Sequence, residues 1–411
     1  MKREKAYIRL PIVLLSSILL ATQGCSFEDE IPYQNQEISD YQPEEGSEVQ
    51  SASYNDETVK EEEGEVPVSP DETIENVSEM YYGYYGLDDE QRKLYREILH
   101  ALTELKEDVK VSTLEPGELN EVFNCVMNDH PEFFYVDGYQ YMKYTVGNII
   151  TKITFSGKYT MTEPEIKAKQ SHIDNVVTDY LAGMPDTVDE YEIVKYLYEK
   201  LIYSTEYDSQ ADNNQNICSV FIGGRSVCQG YAKAMQYLLQ QKGMEALLVT
   251  GYTNQEGHAW NLVRVNGAYY YLDPTWGDAS YTFSGGDSSY TGNNPPINYD
   301  YFLVTTEEIS KTHQIDTEEK LPLCDSTVDN YYVREGLYLE NYDEERLRAI
   351  FEAGYEQDSH YITLKCSNEE VFSVLKNKLI TNQGIFKFLH DQGNSIAYTD
   401  NAAQLTISFW I

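Results

Sequence analysis

Apolar positions first recur at helical spacing. From Leu87 to Leu105 the chain reads as one helix, and Pro116 to Asn128 as a second. In the second, Leu119, Val122, Phe123, Val126 and Met127 share one face, and Asp129-His130-Pro131 stops it. Phe133 to Val136, Gln140 to Val146 and Asn148 to Phe155 read as strands, the last two joined as a hairpin at Gly147-Asn148. Two capping boxes follow. Thr162 with Glu165 and Thr187 with Glu190 each open a helix, with apolar stripes ending near Tyr180 and Tyr203. His100 and His130 read as surface or turn residues, because neither has a partner at metal-ligand spacing.

The middle of the chain changes rhythm more sharply. Ser204 to Ser226 is loop-like and rich in Asn and Gln, and it delivers Cys228 to the start of an amphipathic helix. Tyr231, Met235, Leu238 and Leu239 lie at helical spacing there, with Gly243 as the stop. Ala246 to Tyr252, His258 to Val265 and Ala268 to Asp273 are short, apolar and rich in strand formers. A turn at Asn266-Gly267 places position 258 opposite position 275, so Asp273 becomes a diagonal neighbour of His258 on the same sheet face. Gly277 to Asn298 reads as a loop beside that face, and Asn298 to Thr305 as another strand. Beyond it come strand-like Tyr331 to Leu339, helix Glu344 to Ala353, strand Tyr361 to Cys366, helix Asn368 to Asn382 and strand Leu405 to Trp410. This predicts a small β-α-β-α-β unit.

The N-terminus carries a different message. Lys2, Arg3, Lys5 and Arg9 precede an apolar stretch from Leu10 to Ala21 that is too short to span a bilayer. Thr22-Gln23-Gly24-Cys25 follows, which resembles the lipobox of bacterial lipoproteins, although Thr22 and Gln23 depart from its usual residues. That resemblance implies removal of residues 1–24 and lipidation of Cys25, anchoring the chain on the extracellular face of a bacterial membrane; plain secretion or an uncleaved anchor are the alternatives. From Ser26 to Glu79 there are eighteen acidic residues against Lys60 alone, with Pro43, Pro67 and Pro70. Such a segment cannot bury enough apolar surface to offset its ordering entropy, so residues 25–79 are expected to be a disordered tether. It would reach on the order of 40 Å. The formal net charge of −39 argues against nucleic acid and anionic lipid headgroups as ligands. The remainder divides into an α+β region at 80–160, a central domain at 161–320 and a C-terminal unit at 325–411.

Cys228, His258 and Asp273 supply the groups needed for thiol-based acyl transfer. A cysteine at a helix start faces unpaired backbone N–H groups and the positive end of the dipole, and both favour thiolate. An imidazole handles the leaving-group proton, and a carboxylate fixes its tautomer and stabilises its cation.

Three runs carry a family resemblance. Cys228-Gln229-Gly230-Tyr231-Ala232, Gly257-His258-Ala259-Trp260-Asn261 and Tyr271-Leu272-Asp273-Pro274-Thr275-Trp276 closely resemble the core of the transglutaminase-like superfamily, over roughly residues 185–280. The resemblance implies an α+β, papain-like fold, with the cysteine-bearing helix packed on an antiparallel sheet. It also implies Cys228 as nucleophile, His258 as general acid/base and Asp273 as its orienter. The Cys228 backbone N–H is one oxyanion donor by its place at the helix start. In this superfamily a side-chain donor comes from just upstream, and Gln215 and Ser219 are the candidates. Trp260 and Trp276 either wall the site or pack beneath it.

Among the other thiols, Cys125 reads as a buried small hydrophobe, and Cys218 with Cys324 as one disulfide. No Cys/His spacing resembles a zinc site, and neither a phosphate-binding nor a calcium loop is evident, so no cofactor is expected. The expected partner is a protein or peptide substrate at the cell wall. The competing expectations are a non-catalytic cell-wall binding module and a lipoprotein spacer.

Overall fold

The computed structural model describes residues 80–411 apart from 147–148, 255, 281–295, 318–319 and 391–395, together with the dipeptides 13–14 and 21–22. Cys25, the acidic segment and most of the stretch 277–298 lie outside the described residues. No described helix is long and apolar enough to cross a membrane.

The N-terminal region begins with α1 (Tyr82–Gly86) and α2 (Asp89–Thr103). Asp88 caps α2 by accepting from the Glu90 and Gln91 N–H groups, and the Gln91 side chain returns the bond, so the helix starts two residues after Leu87. Strand β1 (Val109–Val111) and helix α3 (Pro116–Asp129) follow. β2 (Val136–Val146) and β3 (Ile149–Tyr159) form the expected hairpin, with Val146 opposite Ile149, and β1 pairs with the other edge of β3. Phe133 to Tyr135 is a turn rather than a strand. The His130 carbonyl accepts from Phe133 N–H, and the Phe133 carbonyl accepts from Val136 N–H. Of its two expected placements, surface or turn, His130 takes the turn, where it is buried against the rings of Tyr81, Tyr95 and Phe133.

Helix α4 (Glu163–Ala182) has the expected Thr162/Glu165 box. Helix α5 (Glu190–Ser204) does not use Thr187 with Glu190. Asp189 caps it instead by accepting from Tyr191 N–H, while Thr187 accepts from Asp189 N–H and Glu190 is drawn away to the Asn266 N–H.

The centre is built around α7 (Cys228–Gln240), entered through the short α6 (Ile217–Phe221) and a two-residue parallel bridge between 206–207 and 225–226. Every residue of α7 after Cys228 is buried. Its apolar face contributes Tyr231, Met235, Leu238 and Leu239 to the main core, each stabilising the fold by roughly 1.5–3 kcal/mol. Two of its polar side chains donate across to other elements, while Gln236 Oε1 is buried without a partner among the described residues. Gln236 donates to the Asn128 and Ala246 carbonyls, and Gln240 donates to the Asp129 carbonyl.

α7 packs on a five-stranded antiparallel sheet. The strands are β4 (Ala246–Thr253), β5 (Glu256–Val265), β6 (Ala268–Leu272), β7 (Phe302–Val304) and β8 (His313–Ile315), in the order β7-β6-β5-β4-β8. The β5–β6 turn has positive φ at both Asn266 and Gly267, which suits a tight Asn-Gly hairpin. Its register, Val265 opposite Ala268 through Asn261 opposite Leu272, is the one that places 258 across from 275. The ladder ends at Leu272, and Asp273 caps the one-turn helix α8 (Pro274–Gly277).

After α9 (Thr306–Ile309), the C-terminal unit has its own apolar core, including Leu347, Phe351, Leu364, Leu375, Ile407 and Phe409. Residues 331–339 are not one strand but helix α10 (Tyr331–Arg334) followed by β9 (Tyr338–Leu339). Then come α11 (Glu344–Glu356), β10 (Tyr361–Cys366), α12 (Glu369–Leu375), β11 (Ala397–Asn401) and β12 (Thr406–Trp410). β11 was not anticipated. The sheet order is β11-β12-β10-β9, with Val13–Leu14 on the β11 edge.

Cys218 and Cys324 are not bridged to each other, so the expected Cys218–Cys324 disulfide is absent. Cys218 lies in the main core and Cys324 in a separate cluster around Trp260 and Tyr301.

Candidate active site

Cys228 is the first residue of α7, and Val227 before it makes no side-chain cap. The sulfur is half-buried against Ala232, Leu248 and Ala259. Loop 214–226 folds tightly over this helix start. Ser226 donates to the Asn214 carbonyl, and a Cβ at Gly230 would lie 1.9 Å from Ser226 Oγ and 2.8 Å from the Asn214 carbonyl. Only glycine fits there.

His258 is buried on β5, opposite Gly251 of β4. Its Nε2 lies 2.7 Å from Asp273 Oδ2, and Cys228 is near enough to favour the charged form of its ring. With Nε2 engaged by the carboxylate, Nδ1 is the nitrogen left for sulfur. Asp273 is fully buried, and its other oxygen, Oδ1, accepts from the Thr275 and Trp276 N–H groups at 2.9 and 3.1 Å.

Burial disfavours charge on both groups, yet each stabilises the other's charged form. Against the cost of burial, the imidazoles of His258 and His313 hold Asp273 below the usual carboxylate range. For His258, burial is likewise opposed by Asp273 and Cys228, and the imidazole is raised to about 10. The ring is therefore cationic at neutral pH, between a sulfur and a carboxylate.

The sequence singled out four further residues. Trp260 is fully buried and stacks on His258 at 5.8 Å, so it lies beneath the site. Trp276 is half-buried, 6.0 Å from His258 and packed edge-on against Tyr301. Ser219 is buried, with its hydroxyl already bonded to the Asn216 carbonyl and Ser226 Oγ under Gly230. Gln215 is exposed, and its chain neighbour Asn214 accepts from Val227 N–H.

Two contributors were not anticipated. Asn261, the last residue of the histidine-bearing run, donates to the Ala232 and Leu247 carbonyls and so ties α7 to β4 and β5. His313 places Nε2 3.1 Å from Asp273 Oδ2. It arrives on the edge strand β8, forty residues after Asp273, and no local sequence pattern marks it.

His258, Asp273 and His313 form a group whose ligand atoms lie within 4.8 Å of one another, compact enough to hold a metal ion. The contacts of 2.7 and 3.1 Å, however, put both ring nitrogens directly on one carboxylate oxygen, the geometry of hydrogen bonds rather than of donors spread around an ion.

A cleft of about 1300 Å³ opens elsewhere, where Gly243, Met244, Asn266 and Gly267 mark the far ends of α7 and the β5–β6 hairpin. Half-buried Cys125 lines it and is not the buried hydrophobe its helix face suggested. Cleft size and chemistry thus point to different places. The chemistry decides, because the paired charges lie at Cys228.

Among known proteins, residues 178–274 match the transglutaminase-like superfamily. None of the curated proteins matches the chain. Solved structures similar to it include a TGase (14% identity, 38% of this chain and 54% of that one, TM-score 0.25). Another is a candidate cysteine protease from Cytophaga hutchinsonii (12% identity, 33% and 61%, TM-score 0.23). Menin, in a structure that reveals its binding site for Mixed Lineage Leukemia protein, is similar at 16% identity (48% and 43%, TM-score 0.22). The chain thus spans little more than half the length of the first two. Cys228, His258 and Asp273, gathered where α7 meets its antiparallel sheet, all lie within residues 178–274, the segment that matches the transglutaminase-like superfamily.

Proposed function

We propose that the protein is a thiol acyl-transfer enzyme in which Cys228 is the nucleophile, His258 the general acid/base and Asp273 the residue that orients and charges His258. The observation that carries this reading is the buried 2.7 Å His258–Asp273 pair with Cys228, at the start of α7, packed beside it against Ala259. Cys228 attacks an amide carbonyl as the thiolate, its proton already on His258. The new S–C bond leaves an oxyanion facing the Cys228 N–H at the helix start, and as the C–N bond breaks His258 gives that proton to the departing amine. The resulting thioester is resolved by a primary amine, giving a crosslink, or by water, giving hydrolysis or deamidation. Gln215, exposed beside the helix start, is the better placed of the two candidate side-chain oxyanion donors, since Ser219 is already committed. The substrate is a protein or peptide amide. On the N-terminal sequence, the enzyme works from the extracellular face of a bacterial membrane, anchored through Cys25.

The other thiols make the proposal testable. Burial pushes Cys218 and Cys324 up to about 11 and Cys366 up to about 12. Brief iodoacetamide treatment near neutral pH should label Cys228 well ahead of these three. Wild type and Cys228→Ala are then incubated with candidate protein substrates and a tagged primary amine, and mass spectrometry reads isopeptide formation, cleavage or deamidation. Even labelling of all thiols, with no Cys228-dependent product, would overturn the enzyme in favour of a binding module, since the superfamily includes non-catalytic members.

A further inference from the structure

Asp273 Oδ2 receives two imidazoles, of which the acyl-transfer reading uses one. His313 Nε2 is the second donor, at 3.1 Å, while its Nδ1 lies 2.8 Å from Thr312 Oγ1. Its side chain is fully buried. Ring centroids of Trp276, Trp260, Tyr301 and His258 surround it at 4.7, 4.9, 5.3 and 5.4 Å. The titratable groups facing this pair are His258 from β5, with Cys228 beyond it, and Tyr301 from the segment before β7.

We propose that His313 is a positioning residue: a neutral imidazole that donates Nε2–H to Asp273 and accepts at Nδ1 from Thr312 Oγ1, fixing the carboxylate against His258. The Thr312 Oγ1 contact with His313, at 2.8 Å, is much shorter than its 3.5 Å contact with the Ile309 carbonyl. The proposal rests on the acyl-transfer reading for the purpose of the site, though not for the bond itself. Two cations 5.4 Å apart around one carboxylate would leave one charge buried without compensation, and His258 already carries the first. In agreement, burial and the His258 charge hold His313 below its ordinary value, against the pull of Asp273. With two backbone N–H groups on Oδ1 and two imidazoles on Oδ2, the carboxylate cannot rotate without losing a bond.

The fold holds His313 in place from both sides. β8 lies so close to β4 that a Cβ at Gly251 would sit 2.0 Å from the Gln314 carbonyl. Just before β8, Glu308 is fixed by the C-terminal unit. Lys365 pairs with its carboxylate at 2.8 Å, and Gln404 donates to its carbonyl at 3.1 Å. The C-terminal unit therefore braces the strand that braces Asp273.

Two measurements on the full chain test this. Histidine nitrogen-15 NMR of the wild-type protein should show His313 as the neutral Nε2–H tautomer throughout pH 6 to 8. An imidazolium, or the Nδ1–H tautomer, overturns the proposal whatever the enzyme does. Cys228 alkylation is then followed against pH in two variants. His313→Gln keeps an N–H near the Nε2 position and should stay within about 3-fold of wild type. His313→Leu should fall about 10-fold and move its acid limb up by about one pH unit, because the carboxylate has lost a donor. A uniform drop with the limb unmoved means packing alone and overturns the proposal. If His313→Leu does not fold, the wild-type tautomer and the glutamine variant still decide. Absence of rapid Cys228 labelling in wild type would sink the acyl-transfer reading, leaving the tautomer result to stand or fall separately.

Discussion

Among the described residues, two aspartates are completely buried, and they respond oppositely. Asp129, at the end of α3, accepts from the Gly83 and Tyr84 N–H groups at the start of α1 and from the Tyr95 hydroxyl, at 3.0, 2.9 and 2.9 Å. Asp273 likewise accepts from two backbone N–H groups at a helix start, but its remaining partners are imidazoles. Burial pushes Asp129 up to about 6, because a neutral hydroxyl, two amides and neighbouring His130 do not offset the lost hydration. Asp273 is driven down because a cationic His258 touches it. Hydrogen bonds alone thus leave a buried carboxylate easier to protonate, whereas a paired cation keeps it ionised. The first arrangement staples a helix. The second is suited to chemistry, since it keeps an imidazole charged beside a thiol.

Asparagine at each position separates the two roles most strongly. Asp273→Asn removes the charge that supports His258, and turnover or Cys228 alkylation should fall by about 10³–10⁴-fold. Asp129→Asn should leave the same rate within about 2-fold. The Asp129 carbonyl holds Gln240 at the far end of α7, some ~20 Å along the helix from Cys228. Comparable losses in both variants would show that the Cys228 site depends on global packing rather than on the local charge pair.

Stability should rank them differently. Asp129→Ala leaves Gly83 N–H, Tyr84 N–H and the Tyr95 hydroxyl buried without their acceptor, at a cost of about 3 kcal/mol or more. Urea unfolding measures this loss, and a midpoint within experimental error of wild type would refute the stapling role.

Much of the site was legible before the fold was known, for local reasons. An Asn-Gly turn fixes a two-strand register by itself, so His258 and Asp273 could be brought together by counting outward from 266–267. Cys228 at a helix start followed from Tyr231, Met235, Leu238 and Leu239 at helical spacing behind it, with Gly243 as the stop. His313 was not legible, because β8 reaches β4 across about sixty residues and its pairing is set by tertiary contact alone. The Thr187 capping box failed for the same reason. Its sequence is sound, but Glu190 is engaged by the Asn266 N–H from another element. That His130 lies at a turn was legible, but its burial was not, because three aromatic rings close over it here. Phe133 to Tyr135 has strand-forming residues, but the chain must turn there to leave α3.

The contrast between the aspartates also has a pH signature. Asp129 binds its proton more tightly when folded. Its contribution is fully present below its unfolded value near 4 and is lost as pH rises through about 6, up to about 3 kcal/mol in all. Asp273 has the opposite sign, contributing above about 4 and losing that contribution as pH falls toward its lowered folded value. His258, raised to about 10, contributes below about 6.5 and loses its contribution as pH rises through 10. Unfolding midpoints measured from pH 4 to 10 should therefore separate the sites. Asp129→Asn should remove the decline between 4 and 6, and His258→Gln should flatten the decline above 6.5. If Asp129→Asn instead leaves the 4 to 6 region unchanged, its carboxyl is not the group that titrates there.

The finest test changes one atom. Tyr95→Phe removes the hydroxyl from Asp129 and leaves the two backbone donors in place. That bond favours the ionised carboxylate, so its loss should raise Asp129 further above 6. The cost at neutral pH should be about 1 kcal/mol, and the decline in stability should move to higher pH. At pH 4, where Asp129 is protonated, the same substitution should cost less, because a neutral carboxyl gains less from the hydroxyl than a carboxylate does. A cost that is the same at pH 4 and pH 8 would mean that Tyr95 supports this corner by packing. The difference between Asp129 and Asp273 would then owe nothing to the hydroxyl and would rest on His258 alone.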